Sequence, residues 1–253
     1  MKLNYKRLGE GEPIVILHGL FGMLDNWMSF GKHLSQDYQV IFVDQRNHGK
    51  SPHSDEVGYN YYVHDLFELI HELGISKAHI LGHSMGGKTA MNFAVAHPKL
   101  TSSLISIDMG AHGYYTANHD EIFRAILSID LKNYQTRSEV DSELEKSISE
   151  IGIRQFLLKN LERAETGYAW KANFKALHTN YDKLRKEVKA QSPFYGKALF
   201  VRGGNSKYIR DTDFDYIKSI FPNARLETIA GAGHWVHVEK QMELLAVLKT
   251  FLE

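Results

Sequence analysis

Short apolar runs rich in β-branched residues recur along this chain at helix-length intervals, and no other feature constrains its fold as tightly. They read IVIL (14–17), VIFV (40–43), HILG (79–82), SLISI (103–107) and ALFV (198–201), with a weaker RLETI at 225–229. Each is nearly continuous rather than alternating, which is the pattern of strands buried on both faces of a parallel sheet. Helical spacing fills the gaps. Trp27, Phe30 and Leu34 recur between the first two runs. Leu66, Leu69, Ile70 and Leu73 form one stripe that Gly74 stops, and a helix is predicted from Ser84 to about His97, before Pro98. A last helix over roughly 239–252 is expected to bury Met242, Leu245, Leu248 and Leu252 on one face. Strands and helices in alternation imply right-handed crossovers and an α/β, doubly wound, mostly parallel sheet.

The alternation breaks between about 112 and 195. Thr136 with Glu139 reads as a capping box, while IRQFLLKNL and WKANFKALHTNYDKL read as amphipathic helices, with no convincing strand among them. The expected organisation is a core of residues 1–111 and 196–253 with an inserted all-helical cap, 112–195, over the strand ends.

At 253 residues the chain is long enough for one such domain. Lysine plus arginine balance aspartate plus glutamate at 30 each, so no global field gathers nucleic acid or an anionic membrane. The absence of cysteine removes disulfides, thiol catalysis and thiolate-bound zinc. Fourteen histidines lack the spacing of a metal site: there is no HExxH, and no bound metal is expected. The opening residues carry no apolar secretory stretch and no run is long enough to span a membrane, so the expectation is a cytoplasmic protein.

The segment HILGHSMGGKTA places Ser84 between glycines, directly after an apolar strand and before a helix. That context turns the weak G-x-S-x-G pattern into a nucleophile at a sharp strand-to-helix turn. A serine hydroxyl needs a base, and AGAGHWVHVEK offers His234 and His237. His234 follows a Gly-Ala-Gly loop that can reach the sheet's C-terminal edge, whereas His237 opens the final helix and reads as structural. The expected oxyanion donors are the backbone N–H groups of Met85 and of Leu20, in the loop HGLFG. The acid is harder to place. After ALFV, where it customarily falls, the chain reads RGGNSKYI, and neither Asn205 nor Ser206 carries charge. Asp108 closes the apolar strand next to that of the nucleophile, where a carboxylate is costly without a partner. It is the leading candidate, with Asp211 and Asp213 as alternatives; Asp211 otherwise reads as a helix N-cap. Asp44 is expected to brace its own loop through Arg46 and nearby amides.

Together HGLFG, DQRNHGKSP, GHSMGGK, ISID, QFLLKNL, GGNSKYI and AGAGHWVHVEK resemble the α/β-hydrolase superfamily over essentially the whole chain, and within it the YbfF-like bacterial esterase and acyl-CoA thioesterase family. The resemblance implies an α/β-hydrolase fold and a Ser84–His234–Asp108 triad. It also implies a small-molecule substrate, a carboxylic ester or acyl-CoA thioester, and no cofactor. It agrees with the burial argument in placing the acid at Asp108. Carbon–carbon bond hydrolases and cofactor-free perhydrolases use the same triad, and a non-catalytic ligand-binding protein is the alternative from another class. Phe21, Tyr114, Trp170 and Trp235 are the substrate-pocket candidates, with Trp27, Tyr115, Phe156 and Phe174 as further aromatic wall. Lys88 is expected on the solvated surface. Oligomeric state is not legible.

Overall fold

A computed structural model describes residues 1–114 and 119–253. Its framework is a seven-stranded sheet in the order β1-β3-β2-β4-β5-β8-β9. The strands are β1 (Tyr5–Leu8), β2 (Pro13–Leu17), β3 (Gln39–Val43), β4 (Ala78–His83), β5 (Thr101–Ile107), β8 (Lys197–Gly203) and β9 (Ala224–Ile229). All neighbours pair parallel except β1, which runs antiparallel to β3 with Tyr5 opposite Val43. Two helical layers cover it. Val15 and Leu17 face the core that includes α2 (Tyr59–Glu72) and α3 (Met85–Ala96), while Ile14 and Ile16 face the core that includes α1 (Met28–Leu34) and α11 (Gln241–Leu252). Successive residues of a strand point to opposite faces, so a sheet packed on both sides requires the continuous apolar runs of the sequence.

Between β5 and β8 lie α4 (Asp120–Ser128), α5 (Arg137–Glu145), α6 (Ile151–Leu158), the strands β6 (Leu161–Arg163) and β7 (Tyr168–Trp170), α7 (Phe174–Thr179) and α8 (Tyr181–Leu184). They pack around their own apolar cluster, which reaches Phe21 and Met85 of the sheet's C-terminal edge. The capping box forms at Thr136, whose hydroxyl accepts from the Glu139 amide. The remaining two helices, α9 (Phe214–Ile220) and α10 (Val236–Glu239), flank β9.

Four expectations need correction. The segment between β5 and β8 is not all helical: β6 and β7 pair as an antiparallel hairpin, turning at Gly167 with φ +63°, where a side chain would meet the Leu131 carbonyl. The expected helix WKANFKALHTNYDKL accordingly starts only at Phe174, after Asn173 caps it, and breaks at Asn180. β1 was not anticipated because YKRL is a half-exposed edge strand without an apolar run. The last helix buries Leu244, Leu245, Leu248 and Phe251, leaving Met242 exposed.

Candidate active site

β4 delivers Ser84 at the centre of the sheet's C-terminal edge, in a strained backbone (φ +53°, ψ −121°) that ordinary residues avoid. The flanking glycines are sterically required. A Cβ on Gly82 would lie 2.0 Å from the Gly86 carbonyl oxygen, and one on Gly86 would lie 2.2 Å from that of Leu17. The Ser84 amide donates to the Ile107 carbonyl (3.1 Å), fastening the turn to β5. Ser84 is almost fully buried, yet it lines two cavities.

Asp108 follows β5 with φ +47° and is fully buried. It accepts from three donors: the Gly203 amide (3.0 Å), the Ser206 hydroxyl (2.5 Å) and His234 Nδ1 (2.7 Å). Ser206, in the loop after β8, thus hydrogen-bonds the same carboxylate as His234. His234 is held from both sides. Tyr208 stacks on its ring (centroids 4.1 Å apart), and His83 donates from Nε2 to its backbone carbonyl (2.9 Å). Asp211 is placed elsewhere: it is exposed and pairs with Arg202 (2.7 Å). It does not cap α9 either: it opens a single 3-10 turn, 211–213, that precedes α9, and in that turn Asp213 accepts from the Arg210 amide (2.8 Å). His237 is buried and stacked on Trp27, matching its structural reading, and burial pushes its imidazole down to about 3.

The loop after β2 approaches Ser84 so closely that a Cβ on Gly19 would sit 3.1 Å from the serine Cβ. Among the described residues, neither the Leu20 amide nor the Met85 amide bonds a protein acceptor. Two histidines that sequence reasoning passed over hold this loop. The Gln45 amide donates to His18 Nε2 (3.0 Å), so His18 Nδ1 donates to the Gly19 carbonyl (2.8 Å). The Phe21 amide donates to His48 Nε2 (3.3 Å), so His48 Nδ1 donates to the Arg46 carbonyl (2.9 Å). Both rings must be neutral to accept. Burial lowers His18 to about 4 and His48 to about 3, the neighbouring His18 adding to the second shift. Desolvation, reinforced by His234 and His237, likewise holds His83 well below the imidazole range. Asp44 does bind nearby amides, those of Leu24 (2.7 Å) and Lys50 (2.9 Å), but Arg46 pairs instead with Asp65 (2.6 Å).

The larger cavity, about 920 Å³, is lined by Phe21, Trp27, Phe156 and Trp235 beside Ser84 and His234. The smaller, about 210 Å³, is lined by Tyr59, Met85, Met109, Tyr114 and Tyr181. Leu20, His119 and Tyr208 border both. Trp170 lines neither: it packs edge-on against Phe174 within the inserted segment, and Phe174 is absent from both walls as well. Tyr115 lies outside the described residues. Lys88, expected on the surface, is buried, and its ammonium, drawn down to about 7 by desolvation, donates to the carbonyls of Ala111, His112 and Lys186. Among the described residues no group of histidines and carboxylates is placed to hold a metal ion.

A serine in a strained turn after a central strand, a histidine on a buried carboxylate and two unengaged amides can together support acyl transfer. The family model for the alpha/beta hydrolase fold matches residues 12–241, and the chain belongs to that family. Among its relatives are the esterase YbfF of Escherichia coli, 36% identical over 257 residues, which span all of this chain and 99% of that protein. A second is an sn-1-specific diacylglycerol lipase of Mus musculus, 36% identical over 94% of this chain and 80% of the relative. Among solved structures, a marine microorganism esterase is 41% identical and superposes with a TM-score of 0.97, covering 99% of each chain. Among the described residues, no helix is long and apolar enough to cross a membrane.

Proposed function

We propose that this protein is a serine esterase that cleaves carboxylic esters through an acyl-enzyme. Ser84 Oγ attacks the carbonyl carbon as its proton passes to His234 Nε2, and the oxyanion is met by the Leu20 and Met85 amides. The carbon–oxygen bond to the leaving alcohol then breaks, and the alcohol leaves with the proton held by His234. A water molecule repeats the sequence on the acyl-enzyme, releasing the acid and restoring Ser84. Asp108 keeps the imidazole in the tautomer with a free Nε2. Residues 112–195 act as a cap over this site. The smaller cavity takes the acyl chain and the larger takes the leaving group. Acyl-CoA thioesters are a second substrate class that the same chemistry allows.

The observation that carries the reading is the 2.7 Å contact between His234 Nδ1 and a fully buried Asp108, just past the end of the strand beside that of Ser84. The named esterases and lipases among the relatives support it. The test is hydrolysis of p-nitrophenyl esters of graded chain length by the wild type, Ser84→Ala, Asp108→Asn and Asp211→Asn. Ser84→Ala should lose turnover, Asp108→Asn should lose about 10³–10⁴-fold in kcat, and Asp211→Asn should stay within about twofold of wild type. A dead Asp211→Asn would move the acid. Retained turnover in Ser84→Ala would remove the nucleophile.

A further inference from the structure

Phe21 sits in the oxyanion loop with φ +63°, a left-handed conformation that a bulky residue holds only when its surroundings enforce it. Three consecutive peptide planes of this loop are each pinned. The Gly19–Leu20 plane is held through the Gly19 carbonyl, which accepts from His18 Nδ1 (2.8 Å) and from the Gly22 amide (3.0 Å). The Leu20–Phe21 plane is held by the Phe21 amide on His48 Nε2. The Phe21–Gly22 plane is held through the Phe21 carbonyl, and its donor comes from far along the chain: Asn160 Nδ2, at 2.8 Å.

Asn160 lies between α6 and β6, in the QFLLKNL stretch, and is completely buried. Its backbone is anchored at both ends, the amide donating to the Leu157 carbonyl (2.9 Å) and the carbonyl accepting from the Lys171 amide (2.8 Å). Its side-chain oxygen has no partner among the described residues. A buried amide that satisfies only its donor end is a poor choice for stability alone. The inserted segment also grips the Phe21 ring, through Phe123 (centroids 5.0 Å apart) and Phe174 (5.4 Å).

We propose that Asn160 is a positioning residue that lets the inserted segment aim the oxyanion donor. This rests on the acyl-enzyme reading above. In a trans peptide the N–H points opposite to the C=O, so whatever fixes the Gly19 carbonyl fixes the Leu20 N–H. One of the two groups fixing it is the Gly22 amide, whose plane ends in the carbonyl that Asn160 holds. Two rigid planes therefore link Asn160 to the Leu20 donor. A displaced donor weakens the transition state more than the ground state, because the charge it meets develops only in the former.

Asn160→Leu keeps the approximate shape and loses the donor, Asn160→Ala removes both, and Asn180→Ala serves as a control. Asn180 also ties the inserted segment to the core, through the Asp55 carbonyl (3.2 Å), and its side chain bonds none of residues 19–22. With p-nitrophenyl esters, both Asn160 variants should lose about 10–100-fold in kcat with KM within about threefold. Affinity for a trifluoromethyl ketone, which forms a tetrahedral adduct, should fall by the same factor as kcat/KM. Amide exchange at Gly22 should quicken in the Asn160 variants. Unchanged kcat in a folded Asn160 variant, a rise in KM alone, or an equal loss of kcat in Asn180→Ala would overturn the proposal. If neither Asn160 variant folds, exchange in the wild type decides: a freely exchanging Gly22 amide refutes the pin, and a protected one upholds it. A wild type without Ser84-dependent turnover would defeat the acyl-enzyme reading instead, and the exchange data would still report on the pin separately.

Discussion

Ser206 follows β8 in the loop RGGNSKYI, and its hydroxyl donates to the Asp108 carboxylate. It shares Asp108 Oδ2 with His234. Removing that donor leaves a buried carboxylate oxygen with one partner fewer and holds it less firmly toward the imidazole. Ser206→Ala should therefore lower kcat by about 3–10-fold with KM little changed, the equivalent of one hydrogen bond of about 1 kcal/mol. Steady-state kinetics check this, and an unchanged kcat contradicts the role given to the hydrogen bond. Ser84, His234 and Asp108 could be singled out in the sequence as candidates because each is announced locally, by glycines, by a loop after the last strand or by a charge closing an apolar run. Ser206, His18, His48 and Asn160 carry no such local sign. Their partners lie 27 to 139 residues away in the chain, and a hydroxyl or amide at a given position looks the same whether or not a distant partner meets it. Trp170 failed for the converse reason. An aromatic residue in an amphipathic stretch is equally suited to a wall and to a core, and this one went to the core of the inserted segment.

At the scale of elements, the inserted segment leaves the sheet after β5 and returns before β8, and Lys88 of α3 ties the two crossings together. Its ammonium donates to the carbonyls of Ala111 and His112 on the outgoing segment and of Lys186 on the returning one. The crossings also bond directly, Val188 N–H to the Ala111 carbonyl (2.8 Å) and Tyr114 N–H to that of Arg185 (2.8 Å). Replacing Lys88 by Met fills the space but leaves three carbonyls without that donor. Relief of ammonium desolvation offsets part of the loss. A net destabilisation of about 2–4 kcal/mol is expected: the Ala111 carbonyl keeps its Val188 donor, while the other two acceptors are abandoned at about 1–3 kcal/mol each. Urea unfolding of Lys88→Met measures it, and an unchanged midpoint would show that the crossings hold without the lysine. The elements themselves were readable in proportion to their burial. Strands packed on both faces gave continuous apolar runs, and even the edge strand β9 kept Ala224 and Ile229 buried at its ends. β1 and the β6–β7 hairpin are short and hold no fully buried residue, so their pairing leaves almost no hydrophobic pattern.

Across the whole molecule charge is balanced, but it is not balanced around the two cavities. Among the described lining residues, the larger cavity carries Asp120, Glu121, Glu150 and Glu239 against a single Arg124. The smaller carries Arg185 and Lys207 and no carboxylate. A leaving group that exits through the larger cavity therefore meets a negative rim, which costs a polyanion more than a neutral alcohol. Coenzyme A is such a polyanion. A CoA thioester should have a kcat/KM at least about tenfold below that of an N-acetylcysteamine thioester of the same acyl chain at low salt. Matching the acyl group and the sulfur removes intrinsic reactivity from the comparison. Raising ionic strength from 10 to 300 mM shortens the screening length from roughly 30 Å to below about 8 Å, so the gap should narrow. Glu121→Gln with Glu150→Gln should narrow it at low salt, leaving the neutral thioester unchanged. If the CoA thioester is instead preferred, and salt weakens that preference, the nucleotide lies on the Lys207 side. The acyl chain would then occupy the larger cavity, reversing the assignment of the two.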